Sequence, residues 1–467
     1  MEEIVITTEN PIETALSLIE EKKYSQLKTF WEEFHPQDIA EILVELEDRG
    51  DISKEELMIV FRLLPKETAA DVFVEMDSDM QEILIKAFSD KELEEVLDNL
   101  FLDDTIDIIE EMPANVVRRI MRQSSPEMRI MINKILQYPE DSAGSVMTIE
   151  YIRLHEYMTV EGAFDHIRKV GFDKETIYNC YVVDKGGKLL GLCTVKDLLL
   201  ADKSCKIADL METNIISVNT QDDKETAAQI FSKYHFMAIP VLDREERLVG
   251  IITYDDAMEV IQDENDEDFS KMAAITPSDT PYLKTSIWKI FLNRVPWLLL
   301  LMVSATFTGM IISKNEATLA FSITLTACIP MIMGTGGNAG SQTSVTVIRG
   351  IALGEIEFRD IFRVFWKELR ISLLLGITIS IACFGKLMLI DRLFAVQNGF
   401  SIALVICITM LATIVIAKLV GCILPLLAKV CRLDPAVVAN PFITTIVDIL
   451  SLVIYCFITT TLLGSIM

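Results

Sequence analysis

An acidic residue stands within the last long apolar stretch of the chain. Asp448 lies in residues 437–463, which contain no lysine or arginine. Helical spacing places three polar residues on its face: Thr444, Ser451 and Tyr455. A carboxylate at membrane depth costs at least about 2.5 to 3.5 kcal/mol, so it usually points into a helix bundle and serves a function. We therefore interpret Asp448 as a cation ligand, with a structural, hydrogen-bonded acid as the alternative. A second copy across a symmetry axis would supply two carboxylates, which suit a divalent ion.

A second polar feature interrupts an earlier apolar stretch. Residues 334–342 read GTGGNAGSQ and are followed by further hydroxyl side chains. In lipid such a segment would leave dipoles unsatisfied, so it must face protein or water. Gly336 and Gly340 form a small-xxx-small pair, which is typical of close helix packing. A role in shaping a permeation path is the second interpretation.

Long apolar runs must position these residues. After Arg294 the chain contains five runs, each long enough to cross a hydrocarbon layer of about 30 Å as a helix. They predict a five-helix all-α transmembrane domain over residues 287–467. Pro441 and the Asp434–Pro435 pair predict an interrupted start of the last span, and Pro425 is expected to disturb the end of the fourth. The runs are 295–312, 319–347, 371–390, 400–427 and 437–463.

Charge is distributed very unevenly along the chain. The first 280 of the 467 residues carry 61 Asp and Glu against 28 Lys and Arg, a net charge of −33, and the remainder carries +6. The chain is therefore an acidic soluble part followed by a membrane part. A surface this acidic argues against nucleic acid as a partner and favours cations. The scattered cysteines indicate neither a disulfide framework nor a zinc site.

Basic residues around the spans predict the orientation. Lys and Arg are biased toward the cytoplasmic side of a membrane. With no signal peptide at the N-terminus, we expect a multi-pass protein of the cytoplasmic membrane, surrounded by lipid, with the N-terminal half inside and the C-terminus outside. One side collects Lys284, Lys289, Arg294, Arg349, Arg359, Arg363, Lys367, Arg370, Lys418, Lys429 and Arg432; the other has Lys314, Lys386 and Arg392.

Two repeat patterns organise the soluble half. Amphipathic helix starts recur near residues 35, 64, 88 and 112, which predicts an N-terminal α-helical superhelix over 1–137. Individually its acids are expected at the solvated surface, and collectively they are a reservoir of cation ligands. Residues 181–197 and 240–256 then repeat one strand, turn, strand, Gly-x-x-Thr-x-x-Asp, helix unit at a spacing of 59 residues. This order is that of a tandem CBS pair, an α/β domain that we place at 138–261.

The repeated Thr and Asp of the CBS pair have two interpretations. In CBS pairs these residues often lie near an adenosine-nucleotide pocket, which would make ATP a second ligand. Helix N-capping by the two threonines is the alternative. The candidate nucleotide-binding residues are Thr194, Asp197, Thr253 and Asp256.

A connecting segment, 262–286, joins the CBS pair to the first span. It begins acidic and becomes amphipathic, so it is either a disordered acidic linker or a helix that couples the soluble half to the membrane half.

Taken together, these motifs resemble the MgtE family of magnesium channels and transporters. The matching segments are 138–148, the CBS pair, 336–342 and 434–448, which span nearly the whole chain in a specific order. The resemblance implies a homodimer whose pore lies between two five-helix bundles. It also implies cytoplasmic domains that sense intracellular Mg²⁺.

The resemblance assigns metal-binding roles to particular carboxylates. Asp448 is similar to the pore acid that holds hydrated Mg²⁺, and Asp434 to the cytoplasmic acid between the fourth and fifth helices. The implied ligands of the cytoplasmic and connecting parts are Asp71, Asp103, Asp107, Glu225, Asp256, Glu259, Glu264, Glu267 and Asp268.

Within that set, Asp256 and Glu259 would face Asp103 and Asp107. Asp71 replaces a family Glu. His235 stands where an acid is expected, which departs from the family pattern.

The expected function is import of Mg²⁺, which is both substrate and regulator. The ion sheds water reluctantly, so two Asp448 carboxylates would bind it through its hydration shell. A potential of 100 mV favours its import by about 4.6 kcal/mol. Intracellular Mg²⁺ bridging the acidic domains would close the path. The alternatives are a membrane-anchored adenine-nucleotide sensor and a transporter that prefers Co²⁺. Four isolated histidines and no nucleophile constellation argue against an enzyme.

Overall fold

A computed structural model describes residues 10–278, 282–390, 399–431, 433–438 and 440–463. The chain forms two compact units, Met1–Ile261 and Gln262–Met467. The multidomain architecture predicted above is confirmed: a helical domain, a CBS pair with small sheets and a C-terminal helical region with apolar helices.

From residue 10 onward the structure begins with short helices, and two of them start at capping motifs that are visible in the sequence. Ser53 and Ser89 each accept a hydrogen bond from the amide of a Glu three residues on, and that Glu carboxylate accepts the serine amide in return. The helices are α1 (Pro11–Glu20), α2 (Tyr24–Trp31), α3 (Pro36–Asp48), α4 (Lys54–Phe61), α5 (Lys66–Val74), α6 (Ser78–Ala87), α7 (Asp90–Leu97), α8 (Leu102–Glu111), α9 (Ala114–Gln123) and α10 (Pro126–Ile135).

The four helix starts predicted from the repeat pattern correspond to α3, α5, α7 and α9. These helices stack in order, α3 on α5, α5 on α7 and α7 on α9. The stack is held by buried apolar side chains such as Leu43, Phe73 and Leu93, none of which is exposed. Each repeat buries its apolar stripe against its neighbours, as expected for a helical array.

The CBS pair contains two three-stranded sheets, β1-β2-β3 and β4-β5-β6. In each sheet the first two strands are parallel and the last two antiparallel. A 3₁₀ turn at Gly171–Asp173 precedes β2. The elements are β1 (Tyr151–His155), α11 (Val160–Val170), β2 (Thr176–Val183), β3 (Leu189–Thr194), α12 (Val195–Leu200), α13 (Ile207–Leu210), β4 (Val218–Asn219), α14 (Lys224–Tyr234), β5 (Ala238–Leu242), β6 (Leu248–Thr253) and α15 (Tyr254–Met272).

The 59-residue repeat is reproduced at the level of single hydrogen bonds. Asp184 Oδ1 accepts the amides of Gly186 and Lys188 in the β2–β3 turn. Asp243 Oδ1 accepts two amides in the equivalent β5–β6 turn. The repeated aspartate therefore shapes the same hairpin in both copies.

Helix α15 extends beyond the second CBS copy in the sequence. Because it is continuous to Met272, residues 262–272 are helical and the disordered-linker alternative is wrong for them.

The Gln262–Met467 unit is almost entirely helical. Two 3₁₀ turns, Phe358–Asp360 and Pro435–Val438, precede α20 and α22, and a π-helical turn, Lys386–Ile390, follows α20. After α15 the helices are α16 (Ile287–Lys314), α17 (Glu316–Leu319), α18 (Ile323–Ala327), α19 (Ile329–Ala352), α20 (Ile361–Gly385), α21 (Phe400–Val430) and α22 (Asn440–Leu463).

Four helical segments of the described residues are long and apolar enough to cross a membrane: 287–314, 361–389, 400–430 and 441–463. The expected second span is not one uninterrupted helix from residue 319. Ser322 caps α18 and Pro330 occupies the first turn of α19, so the chain starts new helices there. At 24 residues α19 is about 36 Å long, which is enough to cross a membrane, but its polar segment makes it less apolar than these four segments. The count of five spans stays a prediction.

Two sequence expectations about α21 and one about α22 can be compared with the structure. Lys418, which we counted among the basic residues of the cytoplasmic side, lies inside α21 and is 5% exposed, so it does not belong in that count. Pro425 does not end α21, which continues to Val430. The start of α22 is interrupted as predicted, since the 3₁₀ turn Pro435–Val438 precedes it.

Gly336 and Gly340 bring α19 close to α21, as their spacing predicts. A Cβ on Gly336 would lie 2.5 Å from Thr413 Cγ2, and a Cβ on Gly340 would lie 3.2 Å from the Ala417 carbonyl oxygen. Larger side chains at these positions would separate the helices.

The equivalent glycines of the CBS repeat give a matched stability test. A Cβ on Gly250 would lie 2.8 Å from the Thr148 carbonyl oxygen, whereas the nearest atoms at Gly191 all belong to the flexible Met211 side chain. We expect Gly250→Ala to lower the free energy of unfolding by about 1 to 3 kcal/mol and Gly191→Ala by less. Denaturant unfolding of the solubilised protein measures both, and an equal or reversed order would contradict this explanation.

Candidate cation sites

Asp448 borders the glycine-rich segment of α19. A Cβ on Gly337 would lie 3.9 Å from Asp448 Oδ1 and 3.3 Å from Thr444 Cγ2. The Asp448 residue is partly buried within α22. Gly337 therefore lies directly beside the Asp448 carboxylate, with no side chain of its own between α19 and that oxygen.

The other members of the Asp448 stripe also face the helix bundle. Ser451 is 1% exposed, and its Oγ would lie 3.1 Å from a Cβ on Gly336. The Thr444 hydroxyl donates to the Pro441 carbonyl at 2.9 Å, and the Tyr455 hydroxyl donates to the Leu325 carbonyl at 2.8 Å. Tyr455 therefore anchors α22 to α18, while Ser451 and Thr444 line the α19 side.

The sequence identified the polar segment of α19 but not the face that three of its residues share. Asn338, Gln342 and Thr346 are exposed and lie four residues apart, so they share one face of the helix. Exposed amides in an apolar helical unit require protein or water as neighbours. The four-residue spacing of Asn338, Gln342 and Thr346 was the sequence signal for this polar face of α19.

Glu267 and Asp434, two implied ligands, meet at a lysine. Lys271 Nζ lies 2.7 Å from Glu267 Oε1 and 2.7 Å from Asp434 Oδ2. Asp434 Oδ1 also accepts the Ala436 amide at 2.8 Å, at the turn before α22. Burial opposes the charge of Lys271, but hydrogen bonds to Asp434 and Glu267 raise its pKa above the usual value. The end of α15 is thus tied to the turn that precedes the Asp448 helix.

The remaining implied ligands of this segment, Glu264 and Asp268, lie on α15 and are half-buried.

A carboxylate cluster lies within the Met1–Ile261 unit, with Asp103 buried and Glu150 and Glu175 partly buried. One oxygen each from Asp103, Glu150 and Glu175 lie within 4.8 Å of one another. Asp103 is in the first turn of α8, while Glu150 and Glu175 directly precede β1 and β2. Glu150 Oε2 accepts the Leu102 amide at 3.2 Å. Glu175 Oε2 is buried and has no hydrogen-bond partner among the described residues.

The acids around this cluster perturb one another's ionisation. Burial and the charge of Asp256 raise the pKa of Asp103 well above its usual range and that of Asp104 to about 7. Burial and the charge of Glu259 raise the pKa of Asp107 to about 8.

Burial and the charge of Asp256 also raise the pKa of Glu175 to about 8. No salt bridge among the described residues compensates these carboxylates, and oxygen ligands at this density fit a hard divalent ion such as Mg²⁺.

The structure brings together the implied set Asp103, Asp107, Asp256 and Glu259. Asp104, the neighbour of Asp103, was counted only in the general reservoir of acids. Glu150 and Glu175 were missed because no local pattern connects them with Asp103 in the sequence.

Other predicted ligands lie outside the close group of Asp103. Asp71 is exposed on α5, and Glu225 in the first turn of α14 accepts the Gln229 amide at 3.1 Å. His235 ends α14 in a left-handed conformation, with φ of 57°, and is exposed.

The repeated Thr and Asp act as helix caps. Thr194 Oγ1 accepts the Asp197 amide at 3.2 Å, and Asp197 Oδ2 accepts the Thr194 amide at 3.0 Å. Asp256 Oδ2 likewise accepts the Thr253 amide at 3.3 Å. The capping interpretation therefore accounts for these hydrogen bonds, and the nucleotide role stays a prediction.

Comparison with known families covers most of the chain. Residues 329–458 match the MgtE family, described as divalent cation transporter. Residues 34–141 match the MgtE intracellular N domain, and residues 143–204 and 207–263 match the CBS domain.

Relatives match over nearly their whole length. The magnesium transporter MgtE of Thermus thermophilus is 34% identical over 434 residues, which are 92% of this chain and 93% of the relative. The magnesium transporter MgtE of Bacillus subtilis is 28% identical over 448 residues, 96% of both chains. A solved structure, the cytosolic domain of the Mg²⁺ channel MgtE in complex with ATP, is 36% identical and covers 53% of this chain and 99% of its own, with a TM-score of 0.48.

These matches confirm the expected family and the expectation of a transporter rather than an enzyme. The chain belongs to the MgtE family of magnesium transporters.

Proposed function

We propose that this protein is a Mg²⁺-selective channel or transporter that imports the ion across the cytoplasmic membrane and is closed by intracellular Mg²⁺. The observation that carries the proposal is the position of Asp448 beside Gly337 within the apolar helical unit. A membrane anchor without a transport path has no need of a carboxylate there.

The ion passes Asp448 in hydrated form. Mg²⁺ holds its water tightly, so carboxylates that accept hydrogen bonds from its hydration shell cost less than direct ligation. In a homodimer, two Asp448 side chains balance the charge of one divalent ion. The exposed amides of Asn338 and Gln342 supply further hydrogen bonds to water along α19.

The N-terminal domains lie in the cytoplasm and the C-terminus outside. This orientation follows from the basic residues between the spans, without Lys418, which is buried in α21. An inside-negative potential of 100 mV then favours entry of a divalent ion by about 4.6 kcal/mol.

Intracellular Mg²⁺ acts as the mobile counter-ion of the cytoplasmic acids. At low Mg²⁺ the cluster around Asp103 and Asp256 is repulsive, which favours separation of the elements that carry it. At high Mg²⁺ the ion bridges these carboxylates and stabilises the closed arrangement. Glu264, Glu267, Asp268 and Asp434 extend the same control to the connecting helix.

ATP at the CBS pair is a second, separate proposal. It is supported by the Thr and Asp residues repeated in both copies, Thr194 with Asp197 and Thr253 with Asp256. The nucleotide would add to Mg²⁺ regulation rather than replace it.

Removal of the Asp448 charge tests the transport proposal. We expect Asp448→Asn to lower Mg²⁺ flux into proteoliposomes at least 10-fold, because the isosteric amide cannot balance the charge of the ion. Glu355→Gln, at an exposed position between α19 and α20, is the matched control and retains parent flux. Unchanged flux in the folded Asp448→Asn protein would refute the proposed path.

Neutralisation of cytoplasmic acids tests the feedback. We expect the triple variant Asp103→Asn, Asp256→Asn, Glu267→Gln to continue uptake at internal Mg²⁺ concentrations that stop the parent protein, because the bridging charges are lost. Flux is measured in proteoliposomes loaded with increasing Mg²⁺.

The control for this experiment removes three charges from exposed positions: Glu94→Gln, Asp202→Asn, Asp209→Asn. It should close like the parent. Normal closure of the first variant would refute the feedback scheme.

The raised carboxyl pKa values predict a pH-dependent stability. In the unfolded chain Asp107 and Glu175 ionise near pH 4, whereas in the folded protein their pKa is about 8. The unfolded state therefore binds fewer protons between these values, so without Mg²⁺ the melting temperature should fall as pH rises from about 5 to 8. Added Mg²⁺ should raise the melting temperature more at pH 8.5 than at pH 6. A Mg²⁺ effect that is equal at both pH values would contradict binding at this cluster.

A further inference from the structure

A buried ion pair joins three helices of the Gln262–Met467 unit. Lys418 Nζ on α21 donates to Thr343 Oγ1 on α19 at 2.9 Å and lies 3.4 Å from Glu368 Oε2 on α20. The Thr343 hydroxyl donates to the same Glu368 oxygen at 3.0 Å. The three residues are only 2%, 9% and 5% exposed, for Thr343, Glu368 and Lys418 respectively.

This arrangement is poorly explained as a source of stability. Two charges lose their hydration in an apolar unit, and replacing such a pair by apolar side chains of similar size is often neutral or stabilising. What a buried pair can supply is a unique arrangement, because each charge is compensated in only one register of the helices. Here that register involves α19, α20 and α21 together.

The ion pair lies next to the helix contact that places α19. Thr343 is one helical turn after Gly340, whose Cβ would lie 3.2 Å from the carbonyl oxygen of Ala417, the neighbour of Lys418. Gly337, one turn before Gly340, borders Asp448. A rotation or shift of α19 at Thr343 would therefore move Gly337 relative to the carboxylate.

We propose that Lys418, Glu368 and Thr343 are positioning residues of the transport path. Their polar contacts hold α19 in the rotation and register that keep its glycine face against Asp448. This inference rests on the proposed function of Asp448, and the residues act on the ion through α19 rather than by touching it.

The first test measures the position of α19 without measuring transport. A Cβ on Gly337 would lie 3.6 Å from Thr444 Cβ, within the range of disulfide-bonded residues. In a Gly337→Cys, Thr444→Cys protein, oxidation by copper phenanthroline and oxygen should form this disulfide, detected by mass spectrometry. Addition of Thr343→Val should slow its formation at least 5-fold, whereas Thr343→Ser, which keeps the hydroxyl, should change the rate less than 2-fold. Equal rates in the Val and Ser proteins would overturn the proposal.

The second test measures Mg²⁺ flux per folded protein. Thr343→Val preserves side-chain shape and should lower flux at least 5-fold, and Thr343→Ser should rescue it to within 2-fold of the parent. The apolar pair Glu368→Leu, Lys418→Met should fold with an unchanged or higher melting temperature and still lose at least 10-fold in flux. A merely structural role predicts parent flux once the protein is folded, and that result would overturn the inference.

A control on the same helix is Lys429→Met, which removes an exposed charge of α21 and should retain parent flux. If the apolar pair does not fold, the Thr343 series decides the question, because it changes no charge. A parent protein without Mg²⁺ flux would contradict the proposed function, whereas the disulfide rates would still test the positioning role.

Discussion

A carboxylate inside an apolar helical unit must find compensation for the hydration that it loses. Asp448 meets this constraint on α22 beside Gly337, which places no side chain between α19 and the carboxylate, with the hydroxyl residues Thr444 and Ser451 on the same stripe. The close contacts of Gly336 and Gly340 with their neighbours place α19 near enough for that geometry. The glycine spacing therefore sets the helix packing, and the helix packing sets which groups lie beside the acid.

The same constraint applies to the Met1–Ile261 unit, where carboxylates lose hydration by approaching one another. One carboxylate oxygen each from Asp103, Glu150 and Glu175 lie within 4.8 Å of one another. Burial and the charge of Asp256 raise the pKa values of Asp103 and Glu175 above the usual range. A divalent cation would compensate several of these charges at once. Such a cluster destabilises the folded protein when no cation is bound. Its stability therefore depends on the concentration of the ion, as a regulatory element requires.

Built-in cations complement this scheme in the membrane unit. Lys271 compensates Glu267 and Asp434 at the turn before α22, and Lys418 compensates Glu368 between α20 and α21. Each ammonium group ties elements that carry or contact the Asp448 helix or α19. In the proposed scheme, fixed cations set the arrangement of the helices and mobile Mg²⁺ is the variable charge.

Patterns with local causes were predictable from the sequence. The apolar runs, the helix starts at α3, α5, α7 and α9, the 59-residue repeat and the acid at position 448 all follow from spacing over a few turns or a few strands. Tertiary structure decided which distant side chains meet. Glu150 and Glu175 join Asp103, and Lys418, counted from the sequence with the basic residues of the cytoplasmic side, pairs with Glu368 across 50 residues. Hydrophobic periodicity is a property of neighbouring residues, whereas the compensation of a buried charge depends on groups brought together only when the chain has folded.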